Sequence, residues 1–431
     1  MAIQNIILFS ILLSSWYITN AIKFSTTEVS NFRYTKAEGW KQRYADSLQS
    51  GYSETAGPQG PAVDATLNFT NVGLGMPFLA SDGKGRLYIA VTGQTFQEGT
   101  GDGQISAIDM KTKSILWSNK TNLFALSSPV LVDKSVLVLA YSQAPYIAYI
   151  LSFHQDTGVL QWQYTDNAVC TTMATGLEGL TIAYASTANP LAIAITCKGA
   201  FAVDTTTGIL RWQKSSPNFF QGSAALTPDS ETTFLSDGGS IIALYTANGT
   251  GIWERYLGSM NQGSMSVALD GSAVYATNVP SGMYAIAAEN GTILWTIESA
   301  NSGTASTYGN PSVLGNGTIV AFWNGDTQYS IHTIDPITGT QIWESGNYRS
   351  LKDTIITDSI NNIIISTNVQ VMSLQSGSSS LRWKYPQWSN MDGYGGYAPI
   401  IPQTGMVCIG TTANIYSIGA TKANVYCITD V

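Results

Sequence analysis

Few side chains in this sequence are equipped for covalent or metal chemistry. Its 431 residues contain two histidines, His154 and His332, and four cysteines, Cys170, Cys197, Cys408 and Cys427. A Ser-His-Asp triad or a zinc site needs a histidine at a shared cleft. Both histidines fall instead in repeated strand-and-turn phrases, and His154 stands where those phrases usually place a turn Asp. No HExxH, Walker loop, GxGxxG or GxSxG is present, which removes the common metalloprotease, nucleotide and nucleophile-elbow chemistries. Glu98 and Asp102 lie in the Gly-rich stretch 93–103, and Asp392 lies between Tyr385 and Tyr397; that composition reads as a solvated hairpin or a loop between repeated units. The segment from Trp388 to Tyr397 is the best candidate for recognition. Trp388, Tyr394 and Tyr397 offer the large amphipathic rings typical of binding surfaces, and the competing reading is a linker whose rings pack on the fold.

The elements that must carry these residues are set by tryptophan spacing. Trp117, Trp162, Trp212, Trp253, Trp295, Trp343 and Trp383 recur every 40 to 50 residues, the period of a β-propeller. Each closes one phrase, cleanest as Ala202-Val203-Asp204-Thr205-Thr206-Thr207-Gly208-Ile209-Leu210-Arg211-Trp212. Apolar alternation on both sides gives two half-buried strands. Between them Thr-Gly, or Asn248-Gly249 and Asn290-Gly291, supplies a residue that takes a positive φ cheaply. A second strand phrase such as Gly85–Ala90 or Leu191–Ile195 precedes each copy, with Phe234-Leu235 the weakest. A further short strand lies before that, often after Pro, as in Pro129–Val132. The expectation is an all-β, eight-bladed β-propeller of four-stranded antiparallel blades, with the repeat tryptophans buried between blades. Thr66–Thr70 resembles an outer-strand phrase with Phe69 in the Trp place, and is expected at the outer edge of the final blade beside the 397–418 strands. Val425–Cys427 then forms a tail strand or competes for that slot, with Cys427 falling where a Trp would be.

Domain organisation follows. Residues 1–21 read as a signal peptide, because the apolar run Ile6–Trp16 ends in Thr19-Asn20-Ala21 and is too short to span a membrane. Residues 22–64 form an extension and lead-in, and 65–431 the propeller. A secreted location fits the cysteines. Of three possible pairings, Cys170–Cys197, both placed in the third unit, and Cys408–Cys427, within one blade, are favoured. Five sequons occur, at Asn68, Asn119, Asn248, Asn290 and Asn316. The last three are also explained by turns, so Asn68 and Asn119 are the better glycan candidates. The charge is −8, with only 20 Lys and Arg, which argues against nucleic acid and anionic membranes. Charged residues make up 11%, against roughly 25% in ordinary domains, so little exposed helix is expected.

The phrase Ala-x-Asp-x-x-Thr-Gly-x-x-x-Trp resembles the tryptophan-docking repeat of the quinoprotein alcohol dehydrogenase-like superfamily, the PQQ-type propellers. Trp40–Asp46, Ser50–Ser53 and Gly57-Pro58 resemble the lead-in of those proteins. The resemblance implies one ring over about residues 40–431. It covers enzymes and binding scaffolds alike, the bacterial outer-membrane assembly lipoprotein among the scaffolds. The enzymes hold PQQ against a disulfide of adjacent cysteines beside Ca²⁺. Here no two cysteines are adjacent and cations for the quinone carboxylates are sparse. The expected function is a secreted non-catalytic scaffold for a protein or glycan partner, without a cofactor. The alternative is a PQQ- and calcium-dependent dehydrogenase with a divergent site.

Overall fold

A computed structural model describes residues 41–42, 45–60, 65–69, 77–92, 103–142, 146–170, 180–215, 221–258, 265–278, 282–298, 311–324, 329–348, 355–367, 370–378, 380–385, 397–412 and 423–429. The signal-peptide assignment, Glu98, Asp102, Asp392, Trp388 and Tyr394 lie outside them, as does the side chain of Tyr397.

Eight antiparallel sheets follow one another along the chain, with no helix among the described residues. The third shows the pattern: Leu180–Ala183, Leu191–Thr196, Gly199–Asp204 and Leu210–Ser215 pair in chain order. Its second and third strands are buried at every residue, because each sheet is covered on both faces by neighbouring blades. Its outer strand alternates with solvent, and Trp212 points inward. First strands touch from blade to blade around the axis, and apolar clusters fill the seams between blades rather than the blades themselves. The second blade departs slightly: its inner strand is split into Ala125–Leu126 and Val130–Val132 by Ser127-Ser128-Pro129, since proline cannot donate to the ladder. Phe234-Leu235, weak in the sequence, lies in a full second strand, Thr232–Ser236.

The last sheet closes the ring. Ala65–Phe69 is its outer strand, next to Ala423–Thr429, then Met406–Thr412 and Tyr397–Ile400. The segment therefore takes the outer edge, but against 423–429 rather than beside 397–418, and 423–429 is the third strand and not a competitor. Register corrects a second expectation. Each Trp faces a small residue of the third strand just before a one-residue slip, as Trp117 faces Ala107 and Trp212 faces Ala202. In the last blade that slip puts Leu67 opposite Cys427. Leu67, not Phe69, holds the Trp position, and Cys427 holds the position of Ala107.

Both cysteine pairings are present, Cys170–Cys197 and Cys408–Cys427. The first does not lie in one unit. Cys170 ends the outer strand of the second blade, Leu160–Cys170, and Cys197 sits between the second and third strands of the third blade. It is a staple across a seam. The second joins cross-strand partners in the closing blade.

Candidate binding face and channel mouth

The strand order gives the ring two unlike faces. First-to-second and third-to-fourth turns emerge on one, here the turn face. The remaining connections leave from the opposite face. The lead-in segment belongs to the turn face. Along its course the inner strands of six successive blades, and then the first-to-second turn of the last blade, bond to it on the turn face. Leu131 N donates to Lys41 O and Ile182 N to Gln42 Oε1. Leu226, Val267 and Val313 donate to Ser47, Leu48 and Ser50 O, each near 2.8 or 2.9 Å. Thr357 N reaches Gly51 O, Ser53 N returns to Thr357 O, and Gly405 N reaches Ala56 O. A strand end lining a channel has no partner strand on its inner side, so its N–H groups need some acceptor. The lead-in supplies one to blade after blade.

Its backbone is bent to do so. Ala45 and Gln49 have φ of 70° and 56°, and Gly51 has 65°. At Gly51 a Cβ would come within 2.5 Å of Ser312 Oγ, so glycine is required twice over. Leu48, Gln49 and Ser50 are buried. Ser266 Oγ donates to Gln49 O at 2.7 Å and Gln49 Nε2 to Thr181 Oγ1 at 3.3 Å. Asp358, fully buried, accepts from Gly57 N at 2.9 Å, from Asn362 N and Nδ2 at 2.8 Å each, and from Ile360 N at 3.1 Å.

The same segment completes the tryptophan docking. Five of the seven repeat indoles donate their N–H to a carbonyl in the next blade's turn: Trp117 to Gln155, Trp162 to Thr205, Trp212 to Thr246, Trp253 to Ala288 and Trp295 to Pro336, at 2.7–3.0 Å. The turn glycine lies flat against the ring. A Cβ at Gly208 would stand 2.6 Å from Trp162 Cε3, and one at Gly249 2.8 Å from Trp212 Cδ2. Trp383 has no such turn ahead of it, because the last blade's outer strand comes from the other end of the chain. It donates to Pro58 O at 2.7 Å instead, and Arg382 Nη1 donates to Gln59 Oε1 at 2.8 Å. Trp117, Trp212 and Trp383 are buried; Trp162, Trp253, Trp295 and Trp343 are only half-buried.

The remaining sequence candidates scatter. His154 Nδ1 accepts from Asp156 N at 3.2 Å, the bond a turn aspartate would make. His332, inside the sixth blade, meets Ser330 Oγ at 2.7 Å, and burial lowers its basicity despite Glu344 nearby. The turn aspartates act through hydrogen bonds. Asp109 and Asp335 are held below the usual carboxylate range by the N–H of Thr112 and of Thr338. At Asp204 burial opposes ionisation, yet bonds from Asn189 and Thr207 outweigh it. One carboxyl goes the other way: Asp166, buried in an irregularity of the second blade's outer strand, is pushed up by burial against the bond from Ala168 N, and its Oδ2 has no partner among the described residues. Among the described residues no three His, Cys, Asp or Glu side chains gather to hold a metal. All four half-cystines are buried, and both bridges join cysteines far from adjacent in the chain, 27 and 19 residues apart.

The sequence reading missed the lead-in's role. Its one signal was polar and small residues, Ser47, Gln49, Ser50, Gly51 and Ser53, in a stretch with no strand alternation.

A family profile described as outer membrane protein assembly factor BamB matches residues 28–226 and 199–429. A search of curated proteins by sequence returned no match. Among solved structures, BamB from Moraxella catarrhalis is similar with a TM-score of 0.59 at 15% identity, over 84% of this chain and 99% of that one. Quinohemoprotein alcohol dehydrogenase from Comamonas testosteroni gives 0.64 at 12%, over 94% and 82%. The computationally designed Ika8 protein gives 0.59 at 11%, over 84% and 99%. At such identities the likeness is one of fold. The family matches together run nearly the length of the chain, and with eight docked blades behind them they place it in the outer membrane protein assembly factor BamB family of PQQ-type propellers.

Proposed function

We propose that this chain is a secreted, non-catalytic propeller that holds a protein or glycan partner and carries no cofactor. The observation that supports this most is the lead-in, which occupies the turn-face mouth of the channel with the chain's own backbone across seven blades. A partner is then expected on the opposite face. Tyr385 ends and Tyr397 begins strands there, and Trp388 and Tyr394 fall between the two in the sequence. Disulfides and the absence, among the described residues, of any helix long and apolar enough to cross a membrane are consistent with an extracellular setting.

The test has two arms. Pull-down from the native secreted fraction should capture a partner with the intact protein and lose it with Trp388→Ala and Tyr394→Ala, while Ile337→Thr on the turn face leaves capture unchanged. Calorimetry with PQQ and Ca²⁺ should give no binding, and alcohols or sugars should reduce no dye. Submicromolar PQQ affinity with Ca²⁺-dependent dye reduction would replace this reading with the divergent dehydrogenase.

A further inference from the structure

The five sequons separate by what each side-chain amide is doing. Asn248 and Asn290 occupy the same place in the third-to-fourth turns of the fourth and fifth blades, and Asn316 lies in the first-to-second turn of the sixth. In each, Oδ1 accepts the backbone N–H of the threonine two residues on: Thr250 at 2.9 Å, Thr292 at 3.0 Å and Thr318 at 3.1 Å. That bond fixes the carboxamide with its oxygen toward the turn and leaves Nδ2 on the far side. All three residues are exposed. Asn119 is the converse. Its Nδ2 donates to Gly158 O at 2.6 Å, in the docking contact of Trp117, and a Cβ at Gly158 would stand 2.8 Å from that nitrogen. A sugar on Asn119 is attached at a nitrogen already engaged between the first and second blades. Asn68 lies in the closing strand, and its side chain is outside the described residues.

We propose that Asn248, Asn290 and Asn316 carry N-linked glycans, grouped over three neighbouring blades on the turn face, and that Asn119 is unmodified in the folded protein. This reverses the order that the sequence favours, and it rests on the secretory-pathway reading above. The donor is a lipid-linked oligosaccharide. The bond from its first sugar carbon to the pyrophosphate oxygen breaks, a carbon–nitrogen bond forms to Asn Nδ2, the amide loses one proton, and the lipid pyrophosphate leaves. Transfer meets the chain before it folds, so the fold acts as the filter. A glycan on a turn asparagine projects into solvent, whereas one on Asn119 keeps Trp117 from its dock. The sugars also place bulky polar cover beside exposed Tyr245 and Ile337 of the same face, which leaves the opposite face for a partner.

The experiment is expression of the full chain in a eukaryotic secretory host, followed by peptide mass spectrometry of the folded, secreted protein after enzymatic removal of N-glycans. Modification is expected at Asn248, Asn290 and Asn316 and not at Asn119. Thr250→Ala, Thr292→Ala and Thr318→Ala should each remove one glycan step on a gel without loss of secretion. A glycan on Asn119 of the folded protein, or bare turn sites in secreted protein, overturns the proposal. A chain that stays in the cytosol with its own first 21 residues but is secreted behind a standard leader overturns the localisation alone, and the same peptide map of that secreted form then decides the glycan pattern.

Discussion

At the scale of single residues, five seams share one contact: an indole laid flat on a turn glycine while a carbonyl of the same turn takes its N–H. Trp212 is 6% exposed, so Trp212→Ala should cost about 3–5 kcal/mol in urea unfolding, the usual range for emptying a large core aromatic. Its partner is tested by a matched pair. Gly249 (φ 71°) and Gly377 (φ 75°) share a left-handed backbone, but a Cβ at Gly249 meets a ring, while at Gly377 none of the described residues lies within 4 Å. Both alanine variants lose about 1 kcal/mol to the backbone; Gly249→Ala should lose clearly more. Equal losses would mean that docking tolerates a methyl group.

The carboxylates make a second residue-level statement. Asp109, Asp204 and Asp335 have folded values below the usual carboxylate range, so their contribution is present above that range and is lost as pH falls through the lowered values. Asp166 is raised, chiefly by burial. Its contribution is complete below the ordinary carboxylate value and is lost as pH rises through the higher folded one. Asp166→Asn should therefore stabilise the protein near neutral pH, by about 1–3 kcal/mol for a buried charge with an unmet acceptor, and the gain should vanish on acidification. Melting curves of both proteins across the acid range decide it; a gap that persists at low pH removes Asp166 as the cause.

At the scale of elements, buried second and third strands and a half-exposed outer strand repeat because every sheet is the filling between two others. The seam of the second and third blades carries an added covalent link. Cys170 and Cys197 are separated by 27 residues, and closing a loop of that length in the unfolded chain corresponds to about 3–4 kcal/mol. Cys170→Ser with Cys197→Ser should lose stability of that order in guanidinium titrations run without reductant. A loss well under 1 kcal/mol would show that the seam is held by its apolar contacts alone.

At the scale of the whole molecule, closure decides stability. A ring made from one chain must join its ends, and here both sides of the join come from the N-terminal stretch. Ala65–Phe69 supplies the final outer strand, and Pro58 supplies the carbonyl for Trp383. Removing residues up to Gly60 leaves buried N–H groups on the inner strands of six blades without their acceptors. Each costs about 1–3 kcal/mol, so scanning calorimetry of the truncated chain should show collapse of the single transition or a loss above about 5 kcal/mol. An unchanged transition would show that the lead-in is an ornament on a ring already closed.

The repeat architecture was legible without coordinates because a blade is a local object. Its strands, its turn glycine and its tryptophan all fall within one period, so composition and spacing carry the signal; both cysteine pairings were read from the same spacing. What spacing does not carry is which blade a residue serves once the chain crosses a seam. Cys170 reads as part of the unit that follows it and in fact ends the one before. Phe69 reads as the tryptophan substitute, until a one-residue slip puts Leu67 there. Asn119 reads as a free sequon until the next blade takes its amide. The lead-in is the extreme case, since its bonds reach inner strands up to hundreds of residues away and no local pattern encodes them. The sequence by itself determined the blades; the tertiary structure decided how the ring is closed and which strand ends the lead-in bonds, because those depend on contacts between residues far apart in the chain.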